Sequence, residues 1–272
     1  MDTLSPSPSP WWARLPFAAL LREASQDLRG NDGREPILRR DWVVFLILCA
    51  LLIVFQYYGR PTSYRIELGR FLDPWLGVGP KDLYAPLMPF AWWALAGLVL
   101  RVALPAALVR WVLRESPREY GYRLVGEGHY GRYYVGLYFL MLPLVVAMSF
   151  TSGFQAKYPM CDEAAQSLTY LALFELCYAI QFLAVESFFR GFGLFALHKR
   201  FGYHALWMMA IPYCMVHFGK PVAETTGAIV AGVVLGYLSL KGRSWLHGAA
   251  LHWGVGVTMD VLSILHKGGF KS

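Results

Sequence analysis

Seven long apolar runs divide this chain, and they leave few folds open to it. They occur at 42–58, 87–112, 133–152, 167–198, 204–218, 225–240 and 245–265. A transmembrane helix needs roughly 20 consecutive apolar residues to cross the hydrocarbon core of a bilayer. Only 16% of the 272 residues are charged, against about 25% in an ordinary soluble domain. We therefore predict an all-α fold, a polytopic membrane helix bundle with about seven (six to eight) transmembrane helices.

The net charge of +7 is concentrated in short stretches between these runs. Basic residues occur in "RESPREYGYR" (114–123), "HKR" (198–200) and "KGR" (241–243), and also in the N-terminal arm. Cytoplasmic loops carry an excess of Lys and Arg, so alternating helices would place these stretches together on the cytoplasmic side. The charge therefore indicates topology rather than nucleic-acid binding, with the N-terminus inside and the C-terminus outside. The connection 59–82 is also basic, which runs against this assignment.

The start of the chain lacks the basic n-region and apolar h-region of a cleavable signal peptide. Within it, "WWARLPFAALLREASQDL" has near-helical apolar spacing, which fits either an interfacial helix or a solvated tail. The cysteines have no metal or redox spacing. They are Cys49, Cys161, Cys177 and Cys214.

Ionisable residues inside the apolar runs are candidates for function, because each costs roughly 2.5 to 3.5 kcal/mol to insert on translocon scales. In the second half of the chain they are Glu175, Glu186, Arg190, His217, His252 and Asp260. Glu186 and Arg190 are four residues apart, so they share a helix face and are predicted to pair. Taken alone, such a pair fits a structural lock between helices as well as it fits an active site.

Glu186 and His217 lie at equal distances from a turn predicted near Phe201 and Gly202. At 1.5 Å rise per residue each lies roughly 20 to 25 Å from that turn, so antiparallel packing brings both to one depth. His252 lies roughly 15 Å into the last helix and matches that depth less closely. A carboxylate and an imidazole can deprotonate a water for attack on an amide carbonyl, and a second histidine can donate to the oxyanion.

Three other chemistries are weaker on the residues alone. Zinc held by Glu186, His217 and His252 ranks second to metal-free water activation, since the helical H-E-x-x-H pattern is absent. We therefore expect no cofactor. Ser187 lies beside Glu186 but points elsewhere on a helix, which weakens a serine hydrolase reading. A transporter with His217 and Asp260 as a proton relay lacks any internal repeat.

The same residues resemble the motifs of the CPBP family of intramembrane endopeptidases, also called the CAAX-processing and bacteriocin-processing or Abi family. The family signature is E-E-x-x-x-R-G on one helix, F-x-x-x-H on the next and H-x-x-x-N on a later one. Here "VESFFRG" (185–191), "YCMVH" (213–217) and "HWGVG" (252–256) look like the three motifs. The segments "RESPREYGYRL" (114–124) and "VLGYLSLKGRSWLHGAALH" (234–252) are also similar to the family pattern.

Three positions depart from that pattern. Val185 stands where the family has its first glutamate, to which water activation is generally assigned. Tyr213 replaces the phenylalanine of the second motif. Gly256 replaces the asparagine that helps its histidine to polarise the carbonyl. Asp260, or the backbone at Gly256, would then take part of the role of that asparagine, and Glu186 would serve as the base.

The resemblance implies an intramembrane endopeptidase that cleaves the C-terminal or juxtamembrane part of a membrane-anchored protein. Glu186 and His217 would activate the water, His252 would donate to the oxyanion, and Arg190 would orient Glu186. Accessory roles fall to Asp260, Glu175 and Tyr213. The alternative is a catalytically inactive membrane scaffold or immunity-type protein that keeps the charge pair as a lock.

We expect four regions along the chain. They are a cytoplasmic arm (1–41), N-terminal transmembrane helices (42–113), a CPBP-like catalytic core (114–265) and a tail (266–272). The expected partners are the lipid bilayer and a membrane-anchored protein or peptide substrate, with no nucleic acid. By family analogy, the expected location is the bacterial inner membrane.

Overall fold

A computed structural model describes residues 41–126 and 128–270, which fold into helices and turns without a strand among them. The predicted all-α fold is therefore confirmed. The longer helices are α1 (Asp41–Tyr58), α2 (Pro61–Leu76), α3 (Ala85–Val112), α4 (Gly128–Ser149), α5 (Leu168–Phe201), α6 (His204–Met215), α7 (Val222–Gly242) and α8 (Leu246–His266). Two compact units are distinguished, 1–46 and 47–272, and every contact below lies within the second. The N-terminal arm, including its candidate interfacial helix, lies outside the described residues.

Five helices of the described chain are long and apolar enough to cross a membrane, namely α3, α4, α5, α7 and α8. The pair α1 and α2 passes the same test as one broken span, bent by 45°. The described part thus has five or six candidate spans, at the lower end of the predicted number. The protein is a multi-pass membrane protein.

The apolar run 204–218 accounts for much of the difference. It forms only α6, whose 12 residues extend about 18 Å at 1.5 Å per residue. The helix ends at Met215, and the chain turns through Gly219, whose φ of +86° is a conformation that glycine adopts without strain. His217 therefore lies in a turn, and α7 returns alongside α6 from Val222.

The segment 59–82, which the sequence indicated to be a connection, contains helix α2. Pro61 occupies the first helical position, where its fixed φ suits the helix and its missing N–H is not needed. The hydroxyl of Tyr64 donates to the carboxylate of Asp73 further along the same helix. Arg65 and Arg70 therefore lie on a helix, whereas Arg60 and Lys81 lie just outside its two ends.

The three basic stretches of the described chain meet at one end of the bundle, as predicted. Lys199 Nζ forms ion pairs with Glu115 at 2.5 Å and Glu119 at 3.2 Å. Ser244 Oγ donates to the carbonyl oxygen of Arg123 at 2.8 Å. These contacts join the connection after α3, the end of α5 and the turn before α8.

The last helix ends on the opposite side of the bundle. His266 Nε2 lies 3.0 Å from Ser149 Oγ at the end of α4, and Lys267 Nζ donates to the carbonyl oxygen of Tyr158 at 2.6 Å. The predicted separation of α8's end from the basic stretches is therefore confirmed. The assignment of the basic end to the cytoplasm stays a prediction of the positive-inside rule.

Helix α5 is irregular at the point where the candidate site begins. Ser167 caps its start, with Oγ accepting from the N–H of Tyr170 at 3.1 Å. Regular α-helix ends at Glu186, and Ser187–Gly193 is π-helical, an irregularity that often marks functional sites. The helix ends at the predicted turn, where Gly202 has φ +54°.

Candidate active site

The predicted ion pair between Glu186 and Arg190 forms inside the bundle. Arg190 Nη1 donates to Glu186 Oε1 at 2.9 Å, and the two side chains are 3% and 0% exposed respectively. Arg190 also packs against α6, with Cζ 3.6 Å from the ring centre of Tyr213, and Nη2 donates to the carbonyl oxygen of Ala231 on α7 at 3.5 Å. A buried charge is strongly destabilising without its partner, so this pair fixes α5 against both helices.

His252 on α8 is the second partner of Glu186. Its Nδ1 lies 3.1 Å from the same carboxylate oxygen, Oε1. A carboxylate oxygen only accepts hydrogen bonds, so the Nδ1–H of His252 donates. In the neutral ring this assigns the lone pair to Nε2. Glu186 therefore orients the His252 ring and sets its tautomer.

His217 lies beside His252. The ring centres are 6.3 Å apart and the planes differ by 9°. His217 Nδ1 is 2.9 Å from the carbonyl oxygen of Tyr213, so it also donates from Nδ1 and keeps an accepting Nε2 when neutral. Thr225 Oγ1 donates to the His217 carbonyl oxygen at 2.9 Å and holds the turn in place. Two imidazoles with the same tautomer thus lie next to each other.

The structure brings Glu186, His217 and His252 together, but the histidine that contacts Glu186 is not the one predicted. The depth argument paired Glu186 with His217, whereas the histidine that contacts the carboxylate is His252. The predicted depth of His217 assumes helical rise along the whole of 204–218, but the helix ends at Met215, before His217. Rise per residue no longer measures depth beyond that point.

Glu175 and Asp260 form a separate acidic cluster. Trp253 Nε1 donates to Glu175 Oε2 at 3.1 Å, and the backbone N–H of Met160 donates to Asp260 Oδ1 at 3.0 Å. The two carboxyl groups lie close enough to interact electrostatically, and within the described chain Glu175 Oε1 and Asp260 Oδ2 are buried without a hydrogen-bond partner. Asp260 is about two helical turns beyond His252 along α8. These contacts anchor the connection between α4 and α5 on α8, away from the Glu186 cluster.

At Gly256, aromatic rings occupy the space that the asparagine side chain of the CPBP motif would need. A Cβ on Gly256 would lie 2.8 Å from the ring of Phe182 and 3.2 Å from that of Tyr178. The Phe182 ring is itself held between two others, with its centre 4.3 Å from that of Tyr178 and 4.3 Å from that of His252. The Phe182 ring can therefore occupy this space only because residue 256 has no side chain.

We expect Gly256→Ala to destabilise the protein by about 1–3 kcal/mol, because the added methyl group overpacks a ring that cannot swing away. Thermal unfolding of the purified protein in detergent measures the change. Gly254→Ala is the matched control on the same helix, since its Cβ would have ordinary contacts at 3.6 Å from Tyr138. Equal stability of the two variants would show that the Phe182 ring yields.

The Ser187 side chain contacts a different residue from those that contact Glu186, as its adjacent position on the helix predicted. Its hydroxyl donates to the hydroxyl of Tyr122 at 2.8 Å. Burial raises the pKa of Tyr122 to about 12, so this phenol stays neutral and provides no base for the serine. The contact fixes the connection after α3 against α5.

Sequence reasoning missed one buried charge, Arg101 in α3. Its side chain lies over Phe55, with Cζ 3.5 Å from the ring centre. When the Gln181 amide oxygen is turned toward its donors, it accepts from Arg101 Nη1 at 3.0 Å and from Trp93 Nε1 at 3.1 Å. An arginine inside the apolar run 87–112 was the available signal. These contacts join α1, α3 and α5 and do not involve the Glu186 cluster.

Zinc held by Glu186, His217 and His252 is the alternative to metal-free chemistry that the sequence leaves open. Across 41–126 and 128–270, no three His, Cys, Asp or Glu side chains are grouped so as to hold a metal ion. Glu186 directs Oε1 at Arg190 and at Nδ1 of His252.

Comparison with known proteins agrees with the motifs. Residues 167–258 match the family model described as Type II CAAX prenyl endopeptidase Rce1-like. The matched segment starts at the cap of α5 and contains Glu186, Arg190, His217 and His252. Neither the curated proteins nor the solved structures that were searched gave a match. This segment, about a third of the chain, is therefore similar to the type II CAAX prenyl endopeptidases of the Rce1-like model, in agreement with the CPBP resemblance of its motifs.

Proposed function

We propose that this protein hydrolyses peptide bonds within the membrane, using a water molecule activated by His252 and Glu186. The observation that carries the proposal is the 3.1 Å contact between His252 Nδ1 and Glu186 Oε1, beside the parallel ring of His217. Hydrolases use a carboxylate–histidine pair of this kind to generate a nucleophile near neutral pH. The family match supports the reaction class, since its description names an endopeptidase.

The proposed proton transfers follow from the tautomer of His252. Nε2 accepts a proton from water while the water oxygen bonds to the substrate carbonyl carbon. The resulting imidazolium is compensated by the Glu186 carboxylate at Nδ1. When the C–N bond breaks, Nε2–H returns the proton to the leaving amine. One water is consumed, and one carboxyl group and one amine are formed.

His217 and Arg190 would act on either side of this pair. The Nε2 of His217 accepts a hydrogen bond from the other O–H of the same water, which directs a water lone pair at the carbonyl carbon. Arg190 holds the carboxylate of Glu186 in place. Tyr213 supports both, because its carbonyl oxygen accepts from His217 and its ring packs on Arg190. These roles differ from those implied by the motifs, in which His252 donates to the oxyanion.

We infer that the substrate is the C-terminal or juxtamembrane part of a membrane-anchored protein, as in the family that the motifs resemble. The exposure of the two paired groups supports approach from one direction. The His252 side chain is 17% exposed, whereas that of Glu186 is 0% exposed. A substrate would therefore meet the imidazole first, and the carboxylate would stay shielded behind it.

We expect His217→Leu to slow cleavage about 10²–10³-fold, because leucine fills similar space but accepts no hydrogen bond that would orient the water. The assay uses proteoliposomes with a library of tagged, single-span peptides that vary in their C-terminal segments, and mass spectrometry of the products. His198→Gln serves as the control at the basic end of α5 and should cleave normally. If His217→Leu and Glu186→Gln both process the library like wild type, the assignment is wrong.

A non-catalytic scaffold is the second candidate function. Two positions at which the site differs from the family motifs favour it. Val185 replaces one family glutamate, and the Phe182 ring fills the place of the family's asparagine side chain at Gly256. On this reading, the wild-type protein yields no product from any peptide, and His252→Gln leaves partner assembly in membranes unchanged. Wild-type cleavage that His252→Gln abolishes would exclude it.

A further inference from the structure

A groove between α4 and α7, floored by α6, plays no part in the proposed reaction. It has a volume of about 540 Å³, whereas one water molecule occupies about 30 Å³. Its lining is almost wholly apolar and includes Leu140, Leu206 and Val233. An apolar chain therefore suits the groove better than water or a polar solute does.

Gly136 opens the groove along α4. A Cβ at this position would meet no atom within 4 Å. One helical turn further on, Leu140 is 73% exposed and lines the same groove. The missing side chain thus leaves a channel that runs from the start of α4 toward the middle of the helix.

One end of the groove is basic. Arg132 lies in the first turns of α4, 5.0 Å over the ring of Tyr133, and Lys241 lies 5.6 Å from the ring centre of Tyr237 near the end of α7. Both tyrosines line the groove. Within the described chain, neither cation forms an ion pair with a carboxylate. Two cations on aromatic rings are typical of the headgroup level of a membrane.

We propose that this groove binds one anionic phospholipid, with the phosphate between Arg132 and Lys241 and one acyl chain over Gly136. The charge selects an anionic headgroup, because basic pockets between helices on the cytoplasmic side attract anionic lipids. The bound chain fills the space between α4 and α7. It thereby braces Tyr134, whose ring lies next to Gly248 and so beside Glu186.

Lipid titration of the purified full-length chain tests this proposal. Native mass spectrometry counts retained lipids after addition of phosphatidylglycerol or phosphatidylcholine with identical acyl chains. We expect one phosphatidylglycerol per chain and a rise of roughly 3–5 °C in unfolding temperature, with no effect of phosphatidylcholine. Inorganic phosphate alone should give no such rise, since it lacks the acyl chain.

Three variants locate the bound lipid. Gly136→Leu fills the channel and should abolish retention of the lipid. Gly227→Leu, at a glycine of α7 that also has open space around it, is the control and should bind like wild type. Arg132→Gln should weaken phosphatidylglycerol binding about five- to tenfold.

Three results would overturn the proposal. Equal retention of both phospholipids would contradict anionic selectivity. Wild-type retention by Gly136→Leu would put the lipid outside the groove. If Gly136→Leu does not accumulate, the exposed Arg132 provides the test. An Arg132→Gln variant that binds phosphatidylglycerol with unchanged affinity would then contradict the proposal.

Discussion

Replacing His252 with glutamine is expected to slow peptide-bond cleavage by at least about 10³-fold and to leave the protein folded. Glutamine has an N–H that still donates to Glu186, and its length approximates that of the imidazole. It offers no basic nitrogen to the water, so the first proton transfer has no acceptor. The measurements are the rate of product formation in proteoliposomes and the thermal unfolding temperature of the same preparation.

The matched control lies on the same helix. His266→Gln changes a histidine that contacts Ser149 at the other end of α8, where no part of the site lies. It should retain wild-type activity. A His252→Gln variant that cleaves as fast as His266→Gln would remove His252 from the chemistry, whatever the family match implies.

The largest effect on stability is expected from Arg190→Ala. Removing the guanidinium leaves the fully buried Glu186 carboxylate without its cation, which costs about 3–5 kcal/mol. The ring of Tyr213 also loses the cation packed over it. The yield of folded protein and its resistance to denaturant measure this loss. Lys220→Ala provides the comparison, because it breaks another i,i+4 pair that is partly exposed, and it should cost under about 1 kcal/mol.

The double variant Glu186→Gln/Arg190→Gln separates the structural role of the pair from its chemical role. Two neutral amides can hydrogen-bond to each other without a buried charge, so much of the stability should return. Activity should remain absent, since His252 has lost its carboxylate. A double variant as unstable as Arg190→Ala would mean that the charge pair is not the cause of the instability.

Helices could be predicted from the sequence where an apolar run forms one uninterrupted span, as in α3, α5, α7 and α8. Hydropathy alone failed at α2, because an amphipathic helix beginning at Pro61 carries too many charges to look apolar. It also failed at α6, because apolar residues continue past Met215 after the helix has ended. Hydrophobicity reports the surroundings of a segment, whereas the end of a helix depends on backbone geometry.

In the candidate site, contacts within one helix could be predicted from the sequence, whereas contacts between helices could not. The contact between Glu186 and Arg190 follows from helix geometry, and the i,i+4 spacing predicted it. The contact between Glu186 and His252 depends on the relative placement of α5 and α8, which sequence spacing does not encode. The filling of position 256 depends on Phe182, a residue of another helix that no motif includes.

The early end of α6 has a consequence for the choice of substrates. The backbone just after Met215 bonds within tight turns, as in the N–H of His217 donating to the carbonyl oxygen of Cys214 at 2.9 Å. Irregular backbone at membrane depth persists only where protein or water satisfies its polar groups. In the proposed reaction, a helical substrate would likewise have to unwind before its peptide bond becomes reachable. Within the proposed reaction, selectivity would therefore follow the ease of local unwinding, so that glycine or proline near the cleaved bond counts for more than a matching side-chain pocket.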